Sequence, residues 1–139
     1  MHNPLFWIEW LDRLHRVLSS ARQDVAVLKR ALSPRSLEAI ERSKRQLAAL
    51  LNDLRLLDQD ALPAGNQTAA DALQAALEIT VGQLGSLAAI PAASAPGVLD
   101  RMLASSDAAL RDSCYEAAML LAPGRRRVAA VAADQGARL

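Results

Sequence analysis

The stretch that decides the fold is Leu11 to Leu32, which reads LDRLHRVLSSARQDVAVLKRAL. Its apolar residues are spaced alternately by three and four positions, and an α-helix brings residues at that spacing onto one face. This apolar face, called here the seam of the helix, consists of Leu11, Leu14, Leu18, Ala21, Val25, Leu28 and Leu32. Because Asn3 can cap a helix and Pro4 suits its first position, the sequence predicts a helix from about residue 4 to residue 32.

Ser33-Pro34 separates this helix from a second one, since the serine can cap a helix and the proline can begin it. The seam of the second helix is Leu37, Ile40, Lys44, Leu47, Leu51 and Leu54. Two interpretations of the charged residue in this seam are open. The stem of Lys44 covers apolar surface while its ammonium group reaches water, or Lys44 forms a buried ion pair, for which Asp24 is a candidate.

Two further helices are predicted, bounded by a loop at Asp58 to Gly65 and a linker at Pro91 to Gly97. Asn66 is expected to cap the third helix. Gly82 and Gly85 each weaken that helix by about 1 kcal/mol relative to alanine, or they mark a close helix crossing. The seams of the third and fourth helices are Leu73, Leu77, Val81, Leu84 and Leu87, and then Leu99, Leu103, Ser106, Leu110, Ser113, Ala117 and Leu120.

The fourth helix is expected to kink or end at Pro123-Gly124, because proline lacks the N–H that a helix interior requires. The residues beyond it offer only a small apolar face, so we predict a mobile C-terminal arm at about residues 123–139. The four seams together predict one domain over residues 1–139. Its class is all-α, an elongated antiparallel helical bundle with coiled-coil-like seams and a loose C-terminal arm.

Composition excludes several classes of partner. The 139 residues suit one domain, and 16 Lys and Arg against 15 Asp and Glu leave a net charge of only +1, so no global field favours nucleic acid. No window approaches 18 uncharged apolar residues, which argues against insertion into a membrane. Glu9 and Asp12 interrupt the first apolar run, so no signal peptide is expected and the predicted location is the cytoplasm.

The residues that could carry chemistry do not form a recognisable catalytic, metal-binding or cofactor-binding motif. We therefore expect a protein that is not an enzyme and uses no cofactor or metal. His15 has one functional alternative, phosphoryl relay on a helix, but the following residues, HRVLSS, lack the Lys-Gly typical of relay domains. The single cysteine, Cys114, excludes an internal disulfide and is expected to pack as a small apolar residue.

Aromatic and basic clusters each leave two interpretations open. Trp7 and Trp10 fall on one helical face beside Phe6, either as a plug for the end of the bundle or as an exposed hot spot for a partner. The run Arg125, Arg126 and Arg127 points round a helix, and it is either a solvated charge run or the rim of a docking segment.

The segment LEAIERSKRQLAALLNDL at residues 37–54 resembles the second helix of the FlgN family of flagellar type III export chaperones, which carries a similar leucine-rich run around a lysine. The run from Ala117 to Leu121, followed by the arginines and Val128, falls where that family has an Asn-Gly pair and then apolar residues. Ala117-Ala118 replaces that pair here. No tyrosine follows Gly124, so the family's tyrosine contact with the export gate is not carried over.

The resemblance implies a cytoplasmic chaperone that binds the C-terminal segments of hook-filament junction proteins and delivers them to the export apparatus and its gate. Partner binding is then expected at Met119, Leu120, Leu121, Arg125, Arg126, Arg127, Val128, Val131 and Ala132. The alternative is a structural coiled-coil or adaptor protein that self-associates through its seams. A monomer or weak homo-oligomer fits the chaperone, whereas a tight obligate oligomer fits the adaptor.

Overall fold

The part of the chain that the structure describes forms four helices. The computed structural model describes residues 4–56, 67–91 and 93–135, with side chains described only between residues 7 and 120 of those ranges. The helices are α1 (Pro4–Arg30), α2 (Pro34–Leu56), α3 (Gln67–Ala88) and α4 (Pro96–Gln135). The described ranges contain no strand, and the predicted all-α class is confirmed. The predicted loop at 58–65 and the cap at Asn66 lie outside the described residues.

The helices form an antiparallel ring in which each packs against the next and α4 closes against α1. The contacts between α1 and α4 run in opposite directions along the two helices. Arg22 of α1 interacts with Cys114 of α4, and Lys29, two turns further along α1, pairs with Asp107, two turns back along α4. The predicted antiparallel bundle is therefore confirmed.

The predicted seams supply the core. The α1 seam is buried from Leu11 to Leu28, with at most 4% of any side chain exposed. Leu32 is 41% exposed because α1 ends at Arg30, two residues earlier than predicted. Seam residues of the other helices that are at most 7% exposed are Ile40, Leu47, Leu51, Leu54, Leu73, Leu77, Leu84, Leu87, Leu103, Ser106, Leu110, Ser113, Ala117 and Leu120. Burying a leucine side chain contributes about 1.5–3 kcal/mol, so these seams dominate the stability of the bundle.

The connection between α1 and α2 is a three-residue turn held by two serines. The backbone N–H of Ser36 donates to Ser33 Oγ over 3.1 Å, and the backbone N–H of Ser33 donates to Ser36 Oγ over 3.0 Å. Ser36 Oγ also donates to the carbonyl oxygen of Ala31 at the end of α1 over 3.2 Å. The predicted cap at Ser33 is confirmed, and its reciprocal partner ties the end of one helix to the start of the next.

Lys44 covers apolar surface, as the first interpretation has it. A Cβ added at Gly85 of α3 would lie 3.5 Å from Lys44 Cδ, so the lysine stem runs across this glycine. The ammonium group lies 3.2 Å from Glu41 Oε1. The alternative pairing with Asp24 is wrong, because the Asp24 carboxylate instead accepts a 2.7 Å hydrogen bond from Ser43 Oγ.

The two glycines of α3 do not mark a close crossing of helix backbones. A Cβ at Gly82 would meet nothing within 4 Å, and a Cβ at Gly85 would meet only the Lys44 stem. The closest polar contact between α3 and α4 is made by Thr80, which is fully buried. Thr80 Oγ1 lies 2.6 Å from Ser113 Oγ and 2.9 Å from the carbonyl oxygen of Ala109.

The tryptophans belong to the core. Trp7 is 7% exposed and Trp10 is 2% exposed, with ring centroids 5.5 Å apart and ring planes at 80°. This edge-to-face arrangement near the start of α1 confirms their interpretation as a plug, since aromatic pairs favour that geometry. The hot-spot interpretation is wrong for these two residues.

The bounds of α4 differ from the prediction at both ends. The helix begins at Pro96, inside the predicted linker, because proline is favoured at the first helical position. Its backbone continues past Pro123 to Gln135, so of the two predicted outcomes at Pro123-Gly124 an end of the helix is wrong, and a kink stays a prediction. A proline removes one hydrogen bond from a helix, and the bonds on either side of it can carry the helix onward. The predicted mobility of residues 123–139 stays a prediction.

The Thr80 contact generates a stability prediction. Replacing Thr80 with valine keeps the shape of the side chain but leaves the Ser113 hydroxyl without this partner. We expect Thr80→Val to lower the free energy of unfolding by about 1–3 kcal/mol. Chemical denaturation measures the change, and Thr68→Val, at an exposed position of α3, is the control, with an expected change within about 0.5 kcal/mol. Equal stability of the two variants would show that the buried contact is unimportant.

Candidate protein-binding site

The fourth helix has an apolar outward face as well as its buried seam. Tyr115 and Met119 lie one turn apart on α4, at the i and i+4 positions that share a helical face. Their side chains are 62% and 47% exposed. Both residues are two positions after a seam residue, which turns them away from the core.

A groove between α3 and α4 adjoins this face. It has a volume of about 230 Å³ and is lined by Ala72, Ala76, Ile79, Ala109, Asp112 and Glu116. Ile79 is 60% exposed, so a large apolar side chain borders the alanines. Tyr115 and Met119 each follow one of the two acids by three positions, which places them one helical turn further along the same side of α4. We call these eight residues the α3–α4 surface.

The two acids of the α3–α4 surface have no ion-pair partner among the described residues. Glu78, a nearby acid of α3, does have a partner: it faces α2 and accepts a 2.8 Å hydrogen bond from Arg55. That bond, together with one from Gln74, lowers the pKa of Glu78. Asp112 and Glu116 are therefore the acids that a positively charged partner can meet on this surface.

The residues predicted to bind a partner divide into three groups. Met119 is exposed and belongs to the α3–α4 surface. Leu120 is only 5% exposed and packs in the core, so its predicted contact with a partner is corrected: the seam spacing turns it inward. For the third group, the structure describes the backbone, which belongs to α4, but not the side chains. These residues are Leu121, Arg125, Arg126, Arg127, Val128, Val131 and Ala132.

Ile79 and Tyr115 were not predicted as binding residues, although the sequence holds a signal for them. Each is a large apolar residue that falls off its helix seam, where a polar residue is expected. The signal is not specific, because Val27 and Leu56 also fall off their seams and are 50% and 76% exposed. What singles out Ile79 is its place beside the alanine-lined groove, which depends on how α3 and α4 pack.

The residues singled out for metal binding, phosphoryl relay or thiol chemistry lie as follows. The described residues contain no group of three or more His, Cys, Asp and Glu side chains that could hold a metal ion. His15 is an exposed residue of α1. Cys114 is half-buried and packs against the core, as predicted. Burial raises the pKa of its thiol, and the neighbouring Arg22 opposes the increase.

In the described part of the chain, each helix is too short or too polar to cross a lipid bilayer. Comparison of the chain with protein-family models, with curated proteins and with solved structures finds no match in any of the three.

The environment of Cys114 predicts slow thiol chemistry. Because burial disfavours the thiolate, alkylation of Cys114 should be slower at neutral pH than that of an exposed thiol, and its rate should still rise with pH above about pH 8.5, the ordinary thiol pKa, where the rate of an exposed thiol levels off. A time course with iodoacetamide at several pH values, followed by mass spectrometry, measures this. The control is the double variant Cys114→Ser with Ser105→Cys, which moves the thiol to an exposed position of α4. Equal rates and equal pH profiles would contradict the assignment.

Proposed function

We propose that this chain is a cytoplasmic export chaperone of the FlgN type, which binds the C-terminal helical segments of hook-filament junction proteins and delivers them to the flagellar type III export apparatus. The resemblance at residues 37–54 and 117–128 motivates the flagellar assignment. The α3–α4 surface supports binding of a helical client, because it is the kind of surface that an amphipathic helix can cover.

One observation carries the proposal. Ile79 exposes a large apolar side chain in the lining of a shallow groove floored by alanines, and Tyr115 and Met119 expose two more on the outward face of α4, one turn beyond its acids Asp112 and Glu116. Small side chains on the floor let a second helix approach closely, while the larger residues at its sides offer apolar area to bury. Single exposed apolar residues are common on soluble proteins, whereas a group beside a groove marks an interaction surface.

The acids at the groove indicate the charge of the client. Asp112 and Glu116 border the α4 side of the groove. A client helix with Lys or Arg beside its apolar stripe would match them. Exposed charges of this kind favour the encounter and fix the orientation of the bound helix more than they add affinity.

The length of α4 supports a second part of the client site. At about 1.5 Å per residue, its 40 residues extend over about 60 Å, whereas the two helices it packs against are shorter: the 27 residues of α1 extend over about 40 Å and the 22 of α3 over about 33 Å. Neither helix can accompany α4 along its whole length. A segment of α4 that is not paired with α1 or α3 is suited to receive a client, and we propose that Leu121, Val128, Val131 and Ala132 contribute apolar contacts there, with Arg125, Arg126 and Arg127 as a charged rim.

The burial of the seams weighs against the adaptor alternative. An adaptor that self-associates through its seams needs them exposed in the single chain. Here the fully buried residues include Leu14 and Leu18 of α1, Leu77 of α3 and Leu110 of α4, each 0% exposed. A tight obligate oligomer in light scattering would nevertheless favour the adaptor, and a monomer or weak homo-oligomer would favour the chaperone.

Calorimetry with a peptide from the C-terminal helical segment of a junction protein tests the proposal. The variant Ile79→Gln with Met119→Gln should weaken binding by roughly tenfold or more, because it removes two large apolar contacts. The control is Val27→Gln with Leu56→Gln, which makes the same change at exposed apolar residues away from the α3–α4 surface and should bind normally.

A second chain that ends at Ala122 separates the two parts of the client site. Weaker binding by this truncated chain assigns a contribution to the residues beyond 122. Equal binding by the full and truncated chains would overturn that contribution and leave the α3–α4 surface alone. Failure of the full chain to bind any junction peptide would overturn the proposed function.

A further inference from the structure

Three cationic side chains meet in an open groove on the opposite side of α4, where it packs against α1. The groove has a volume of about 480 Å³ and is lined by Arg22, Gln23, Ala26, Lys29, Asp107 and Arg111. Apart from Ala26, every lining residue is polar or charged. The net charge of the whole chain is only +1, so this groove concentrates positive charge that the rest of the sequence balances.

Two of the three cations have no acidic partner. Lys29 is paired with Asp107, the one acid that lines the groove. Arg22 and Arg111 are exposed, and neither forms an ion pair within the described part of the chain. Arg22 interacts instead with the Cys114 thiol, which is largely neutral. The groove therefore keeps two uncompensated guanidinium groups, a group suited to carboxylates because it can donate two parallel hydrogen bonds.

The spacing of the cations points to an extended ligand. Arg22 and Lys29 are seven residues apart on α1, which corresponds to about 10.5 Å along the helix axis. Arg111 reaches the groove from α4. One small anion cannot bridge 10 Å, whereas a helix with acidic residues two turns apart repeats its carboxylates at the same distance. Because five of the six lining residues are polar or charged, binding here would be driven mainly by charge and weakened by salt.

We infer that the α1–α4 groove binds an acidic helical segment of a partner protein. Arg22 and Arg111 contact its carboxylates, and Lys29, in competition with Asp107, contacts a further carboxylate two turns away from the one at Arg22. The site is independent of the proposed client site, since it lies on the other flank of α4 and has the opposite charge. Asp107 limits the affinity of the groove, because it neutralises Lys29 and repels an acidic ligand.

Fluorescence anisotropy of a labelled helical peptide with glutamates two turns apart tests this inference on the full chain. The variant Arg22→Gln with Arg111→Gln should weaken binding roughly threefold to thirtyfold, the range expected for two exposed charge pairs. The control, Arg13→Gln with Arg42→Gln, makes the same change in net charge at exposed positions away from the groove. The control variant should bind the peptide with an affinity within about twofold of that of the unsubstituted chain, because distant exposed charges are screened.

Removing the acid that lines the groove should have the opposite effect on binding. Asp107→Asn should strengthen binding of the acidic peptide, since it frees Lys29 and removes the repelling carboxylate. Circular dichroism establishes that each variant is folded. Equal weakening by the groove variant and its control, unchanged binding by both, or equally tight binding of a lysine peptide of the same length would overturn the inference. Full competition by millimolar inorganic phosphate would also overturn it, in favour of a site for a small anion.

Discussion

The apolar seam of α1 leaves water only where neighbouring helices cover it, and this constraint shapes the whole protein. Its buried residues, from Leu11 to Leu28, are covered by α2 on one side and by α4 on the other, and α3 closes the ring between those two helices. The same packing buries the seams of α2, α3 and α4. A partner protein can therefore contact only the outward side of each helix, and an outward face with unusual chemistry is a candidate for binding.

The fourth helix is unusual on both of its flanks. Toward α3 it borders an alanine-floored groove with large apolar residues and two unpaired acids, and toward α1 it borders a groove with two unpaired arginines. The sequence places Arg111 and Asp112 side by side, and the 100° step of the helix sends them to opposite grooves. One helix can thus present two surfaces of different chemistry. The client surface would gain its affinity mainly from apolar burial, and the basic groove from charge.

Much of the fold could be predicted because helical periodicity acts over a few residues. The spacing of three and four located the seams, and Ser33-Pro34 located the turn, since capping depends on neighbours in the chain. Tertiary partners were harder. Whether Lys44 lies over Gly85 or pairs with Asp24 depends on the rotation of α2 against α1 and α3, which local sequence does not specify. The site was only partly predictable: Leu120 belongs to the predicted seam, so its burial follows from local spacing, whereas the place of Ile79 in an alanine-lined groove depends on how α3 and α4 pack.

A helical client that binds as proposed covers the α3–α4 surface and leaves the core undisturbed. NMR of isoleucine and methionine methyl groups can detect this, because the chain has few residues of either type and they lie both on that surface and in the core. On addition of a junction-protein peptide, we expect large shifts for the methyl groups of Ile79 and Met119 and little change for Ile40, which is fully buried. Binding that leaves the Ile79 and Met119 methyl groups unmoved, or that shifts Ile40 instead, would contradict it.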